Sequence, residues 1–134
     1  MDSGAGANVA KRSAFTESEP TSAPTITLST ANGEPLHHAG AHRVTSYTQD
    51  GAPVRRVFYD ANVEMPILAV SELSREGLTG SDVRLQQRGG YIRDLTTGKR
   101  QQIVKRRGVY FTKMYIRKHG RHTIDSGFAR PVLP

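Results

Sequence analysis

The chain has 134 residues, with no cysteine, no tryptophan and only 7% aromatics, so a single core resting on Val, Ile, Leu and Ala is expected. The missing cysteines exclude disulfides, thiol catalysis and cysteine-ligated zinc. The net charge of +7 is uneven: residues 1–83 carry 6 basic and 10 acidic side chains, whereas residues 84–122 carry 12 basic side chains against Asp94 alone.

No apolar run approaches the roughly 20 residues of a membrane-spanning helix, and no charged-then-apolar leader follows Met1. The reading is an intracellular, cytoplasmic protein with no membrane partner.

Residues 16–24 are expected to form a loop, because prolines and small polar residues break both the helical and the strand period. Residues 25–30 alternate polar and apolar with β-branched side chains and read as a strand. Ala31-Asn32-Gly33-Glu34 is a turn signal, since Asn-Gly readily supplies positive φ angles. A second strand returns through Leu36 and the histidines toward Val44 and Tyr47. Asp50-Gly51 marks the next hairpin and leads into residues 53–59.

Residues 66–70, Pro-Ile-Leu-Ala-Val, are a short continuous apolar run of the kind found in buried strands. Ser71 is placed to cap a short helix, with Glu72 in its first turn, Leu73 and Leu78 facing the core, and Gly77 at its end. Strand signals resume at 83–85, 91–95, 103–104 and 109–116, with a turn at Thr97-Gly98. Residues 117–134 lack periodicity and read as an irregular tail. The fold class expected is all-β, divided into a core at 1–82, a basic β-rich extension at 83–116 and the tail at 117–134.

One short motif carries chemistry, Asp2-Ser3-Gly4-Ala5. Two carboxylates held close together share a proton, so that one activates a water and the other polarises a carbonyl. The Ser3 hydroxyl can hold the neighbouring loop, Gly4 permits a tight turn, and the small Ala5 allows two copies of the loop to approach. One chain supplies one such motif, so a site of this type requires a two-fold dimer. The same four residues also suit a plain serine–glycine turn at a chain end.

Further anchors follow in order: the Asn32-Gly33 hairpin with Gly40 after it, the Asp50-Gly51 hairpin, the segment 66–73 ahead of Gly77, then residues 91–99 and the step Arg106-Arg107-Gly108-Val109-Tyr110. In these features, over about residues 2–116, the sequence resembles the retropepsin-like aspartic protease segment of copia-type retrotransposon polyproteins.

That resemblance implies a retropepsin-like closed barrel with one short helix and a β-rich C-terminal extension. The barrel would be N-terminally truncated, since only Met1 stands where the family has further strands. It implies a polyprotein-cleaving endopeptidase acting as a homodimer, with one aspartate per subunit and no cofactor or metal. Asp2 would be the catalytic residue, supported by Ser3, Gly4 and Ala5. The hairpin from Thr25 to about His42 would be a flap that sets Ala31, Asn32 and Gly33 over an extended peptide substrate, and Ile67 and Leu68 would line the cleft. The chain departs from the family in Ala69, where many members have glycine. It also has Gly6 and Val70 where many viral members pair an acidic with a basic residue.

Asp125-Ser126-Gly127 repeats the tripeptide, but too few residues follow it for a second lobe and Phe128 replaces the alanine. His37, His38 and His42 cluster, and His119 and His122 have a possible ligand spacing, yet zinc would need further ligands. The basic residues 84–122, interleaved with Tyr110, Phe111 and Tyr115, leave an alternative open: a non-catalytic fragment of a decayed retroelement making weak nucleic-acid contact. A solvated charged face accounts for the same residues.

Overall fold

The computed structural model describes residues 7–29, 33–70, 72, 81–95, 97–117 and 120–129. The chain is all-β. Its strands are β1 (Val9–Ala10), β2 (Ser18–Thr21), β3 (Leu28–Ser29), β4 (Pro35–Leu36), β5 (His38–Tyr47), β6 (Pro53–Ala61) and β7 (Ile67–Ala69), followed by β8 (Ser81–Gln86), β9 (Gly89–Asp94), β10 (Arg100–Arg106), β11 (Val109–Arg117) and β12 (Arg121–Ala129). A 3-10 turn spans Arg12–Ala14. Among the described residues, ten strands form one sheet in the order β2-β5-β6-β1-β7-β12-β11-β10-β9-β8, while β3 and β4 pair separately. Within this one sheet β11 meets β5 again at the pair Tyr115–Tyr47.

Turn chemistry explains the long hairpins. At the β5–β6 hairpin Gly51 takes φ +90°, and the Thr48 hydroxyl accepts from Ala52 N at 3.0 Å. At the β10–β11 hairpin Arg107 and Gly108 both have positive φ (50° and 79°), as a two-residue primed turn requires. Glycine is needed for a different reason at position 90, where a Cβ would stand 1.8 Å from the Arg84 carbonyl oxygen on β8.

Burial divides into two clusters on opposite faces of β1 and β6. The larger gathers Ala10, Phe15, Val44, Phe58 and Leu68 with Ile92, Ile103, Met114 and Ile116, and Phe15 and Phe58 stack with ring centroids 5.1 Å apart. The smaller gathers Ala7, Val9, Leu28, Tyr59 and Ala61, with Ile26 and Leu36 packed against it. Alternation along the strands accounts for the division: Val9 and Tyr59 face one way, Ala10 and Phe58 the other.

The sequence-based expectations need several corrections. Residues 16–24 are not all loop, since Ser18–Thr21 is β2, paired with β5. Pro20 is tolerated because β2 is an edge strand, where no ladder donor is needed on the open side. Of the expected strand at 25–30, only Leu28–Ser29 is a paired strand among the described residues 25–29. The supposed irregular tail contains β12, which lies between β7 and β11 in the middle of the sheet. Its fully buried positions are Ser126 and Gly127, and the apolar side chains on the core-facing side, Ile124 and Phe128, are interrupted by that serine. Ser126 is accommodated because its hydroxyl donates to the Pro66 carbonyl at 3.2 Å. Val70, read with the strand run 66–70, is helical instead; of the expected helix Glu72 is helical, while Ser71, Leu73, Gly77 and Leu78 lie outside the described residues.

Side chains also tie the first half of the sheet to the second. Lys99, beyond β9, bonds Asp50 at the tip of the β5–β6 hairpin. Hydrogen bonds from Lys99 and then Thr48 hold the Asp50 carboxyl down to about 2, from an ordinary 3.8. A depressed carboxyl pKa contributes stability that is complete above the unfolded value and is lost as pH falls through the folded one. Wild type should therefore exceed Asp50→Asn in melting temperature above about pH 4, and the gap should close by about pH 2. A gap that stays constant across thermal melts in that range would show that the bond with Lys99 is not what holds the hairpin tip.

Candidate functional site

Asp2, Ser3, Gly4 and Ala5 lie outside the described residues, as do Ala31 and Asn32. The structure does place the residues that follow Asp2–Ala5 from Ala7 onward, and the strands that flank Ala31 and Asn32. The chain that leaves Asp2–Ala5 runs through buried Ala7 and Asn8 into β1, and β1 is held between two longer-range partners. It runs parallel to β6, with Val9 opposite Tyr59, and antiparallel to β7, with Val9 opposite Ile67. Ile67 is half-buried and Leu68 is buried in the larger core, so of the two expected cleft residues only Ile67 keeps accessible surface.

Asn8 is the residue that the sequence reading missed. It is 5% exposed, and both ends of its amide are used. Its Oδ1 accepts from Ala69 N at 2.8 Å, and its Nδ2 donates to the Val57 carbonyl at 3.2 Å. Its own carbonyl accepts from Tyr59 N at 2.8 Å. One residue thus bridges β6 and β7 across β1 and sets where the chain emerges from the Asp2–Ala5 segment. No motif marks it, because an isolated asparagine reads as a turn or cap residue.

The hairpin arm reaches the same strand. Leu28 and Leu36, opposite each other in β3 and β4, pack in the cluster that holds Val9. Two polar contacts fix the base of the arm. Tyr59 donates its hydroxyl to the Pro24 carbonyl at 2.6 Å, and His38 Nε2 lies 2.8 Å from the Ile26 carbonyl. Gly40 N donates to His38 Nδ1 at 3.3 Å, so a neutral imidazole protonated on Nε2 satisfies both contacts. The His38 and Tyr59 rings meet edge to face, 5.1 Å apart. Burial pushes the Tyr59 phenol above its usual pKa, and the charge of Glu72 pushes it the same way. Gly33, by contrast, is exposed at φ +82° with open space around it, as the tip of a hairpin requires.

Concave surface lies elsewhere. A groove of about 570 Å³ is lined by Lys11, Arg12, Phe15, Ser18, Asp60 and Asn62 among others, and contains none of the expected site residues. A second hollow, of about 300 Å³, lies beside Tyr47, Asp50, Tyr115 and Arg117. A site built at a two-fold axis would not be enclosed by one copy, so these hollows do not bear on it. Among the described residues no group of His, Asp and Glu is arranged to hold a metal ion. The second tripeptide lies one strand beyond β7, with Gly127 opposite Ile67; its Asp125 is exposed opposite Lys113, and Ser126 is sealed beneath the Pro66 carbonyl.

Comparison with protein-family models, with curated protein sequences and with solved structures gave no match.

Removing the Asn8 side chain tests its bridging role. Asn8→Ala leaves the buried Ala69 N–H without an acceptor, which costs about 1–3 kcal/mol. Urea unfolding should show a lower midpoint at an unchanged slope. A midpoint within error of wild type would mean that the bridge contributes nothing.

Proposed function

We propose that this chain is the core of a retropepsin-like aspartic endopeptidase of a copia-type retrotransposon polyprotein. It works as a homodimer in which each copy contributes Asp2. The observation that carries the reading is a convergence on one short strand. The chain following Asp2-Ser3-Gly4-Ala5, the strand containing Ile67 and Leu68, and the base of the hairpin that ends in Gly33 all meet at Val9. A catalytic loop, a cleft strand and a flap have to be neighbours for such a site to work, and they are distant in sequence.

The course of the sheet supports the same reading. Strands β5, β6, β1, β7, β12 and β11 follow one another in order, and the Tyr47–Tyr115 pair brings the last back to the first. We take this ring to be the barrel of the protease. Asn8, six residues after Asp2, is itself anchored to two strands.

In this reading the two Asp2 carboxylates share one proton across the dimer axis. The ionised one takes a proton from a water, which attacks the peptide carbonyl, while the protonated one polarises that carbonyl. Ser3 and Gly4 hold the loop, and the segment Ala31-Asn32-Gly33 closes over the peptide. The substrate binds as an added strand, with alternate side chains pointing into pockets.

Asp2→Asn should lower acid-side cleavage of a polyprotein-derived peptide by about a hundred- to ten-thousand-fold. The wild-type rate should follow a bell-shaped pH profile that belongs to the pair of carboxylates, and a pepstatin-type inhibitor should suppress it. Cleavage that survives the substitution unchanged would overturn the reading.

A further inference from the structure

The basic half of the chain acquires a direction once the strand register is known. Directly opposed residues on neighbouring strands share a face. In β8 to β11, Arg84 opposes Tyr91, Arg93 opposes Arg100, Val104 opposes Phe111 and Arg106 opposes Val109. Alternation along β11 adds Lys113 and Arg117 to the same side. The opposite side holds Val83, Leu85, Ile92, Ile103, Met114 and Ile116, all of which pack in or against the larger core. The residues at 84–122 are therefore not a uniformly basic segment. Ile92, Ile103, Met114 and Ile116 point into the core on one face, and six cationic side chains share the other with Val104, Val109 and Phe111 among the described residues.

That outer face is accessible and weakly neutralised. Arg84, Arg100, Arg106, Lys113 and Arg117 are exposed, and Val109 is 49% exposed. Among the described residues the carboxylates on it are Asp82, which pairs with Arg84 at 3.3 Å and with Arg93 at 3.6 Å, and Asp125 opposite Lys113. The aromatic rings Tyr91 and Phe111 lie on this face, each half-buried and outside both core clusters. The guanidinium of Arg100 lies 4.2 Å over the Tyr91 ring. Cations that outnumber carboxylates, set among flat rings on an open antiparallel sheet, suit a ligand that carries both phosphates and exposed π-faces.

We propose that the outer face of β8–β11 binds single-stranded nucleic acid, with Arg100, Arg106 and Lys113 at phosphates and Tyr91 and Phe111 stacking on bases. Four strands and their three gaps span about 14 Å, so the platform takes a short segment of a strand. A duplex conceals its base faces and meets only the charges. The inference is independent of the protease reading, since none of these residues belongs to the region around β1.

Fluorescence anisotropy of the full chain with labelled oligo-uridine and oligo-thymidine of about 15 nucleotides tests it. Both should bind, more weakly as salt rises from about 20 to about 300 mM. Arg106→Ala and Lys113→Ala should each weaken binding and lower the salt slope by about 0.7. Phe111→Leu keeps apolar bulk without a π-face and should weaken binding roughly 5- to 150-fold at an unchanged salt slope. Arg55→Ala, an exposed cation on β6, should bind as wild type, as should Asp2→Asn. Melting curves of each variant exclude loss of fold as the cause.

Absence of binding at low salt would overturn the proposal, as would equal weakening by Arg55→Ala. Equal affinity for a duplex of the same length would overturn the stacking role. Equal affinity for polyglutamate would make the face a dock for acidic protein instead.

Discussion

The hydrogen bonds of Asn8 reinforce the junction of three strands, β6, β1 and β7, on which the rest of the sheet depends. A strand of two residues has no stability of its own, and β1 is only Val9 and Ala10. It persists because Asn8 bonds Tyr59 and Val57 on one side and Ala69 on the other, and because both faces are buried. Val9 contributes to the cluster under the hairpin arm and Ala10 to the larger core. The separation of β6 from β7, the seat of the arm and the direction of the chain entering from residue 7 all depend on that arrangement. A buried amide with both ends bonded specifies one geometry, since any shift in register would leave a polar group unpaired.

From β7 the sheet continues through β12 into the basic meander. Gly127 N donates to the Pro66 carbonyl at 2.9 Å and the Ser126 hydroxyl shares that acceptor, so β12 is locked where it meets β7. Elsewhere the halves touch through Tyr47 with Tyr115, Thr16 with the Arg117 carbonyl, and Asp50 with Lys99. Arg117 also lies over the Tyr47 ring, 4.2 Å from its centroid. The acidic body and the basic meander are therefore parts of one continuous sheet, and the two proposed activities use separate parts of it. One draws on the residues around β1, the other on the outward face of β8–β11.

How far the sequence could be read follows the range of the interactions. The Asp50-Gly51 turn, the strands around it and the apolar run at 66–70 were legible because positive φ, alternation and hydrophobicity act over a few residues. β2 was not, because Pro20 is acceptable only at an edge, and which strand lies at the edge is a property of the whole sheet. β12 was not, because its buried residues are a serine and a glycine whose suitability depends on the Pro66 carbonyl, 60 positions away. Asn8 carried no local signal for the same reason, since its partners are 49 and 61 residues distant.

The sequence by itself determined an all-β chain, its main hairpins, and a basic region after an acidic body. It also contained the single Asp-Ser-Gly-Ala motif on which the catalytic proposal rests. Only the tertiary structure decided that the chain leaving this motif enters a strand held by two partners, that Leu68 is buried while Ile67 keeps some surface, and that the supposed tail is central. It also placed six of the cationic side chains of β8–β11 on one face. The reason is physical: composition and turn preference belong to a residue and its neighbours, whereas burial, edge position and facing side are set by strand pairing across the chain.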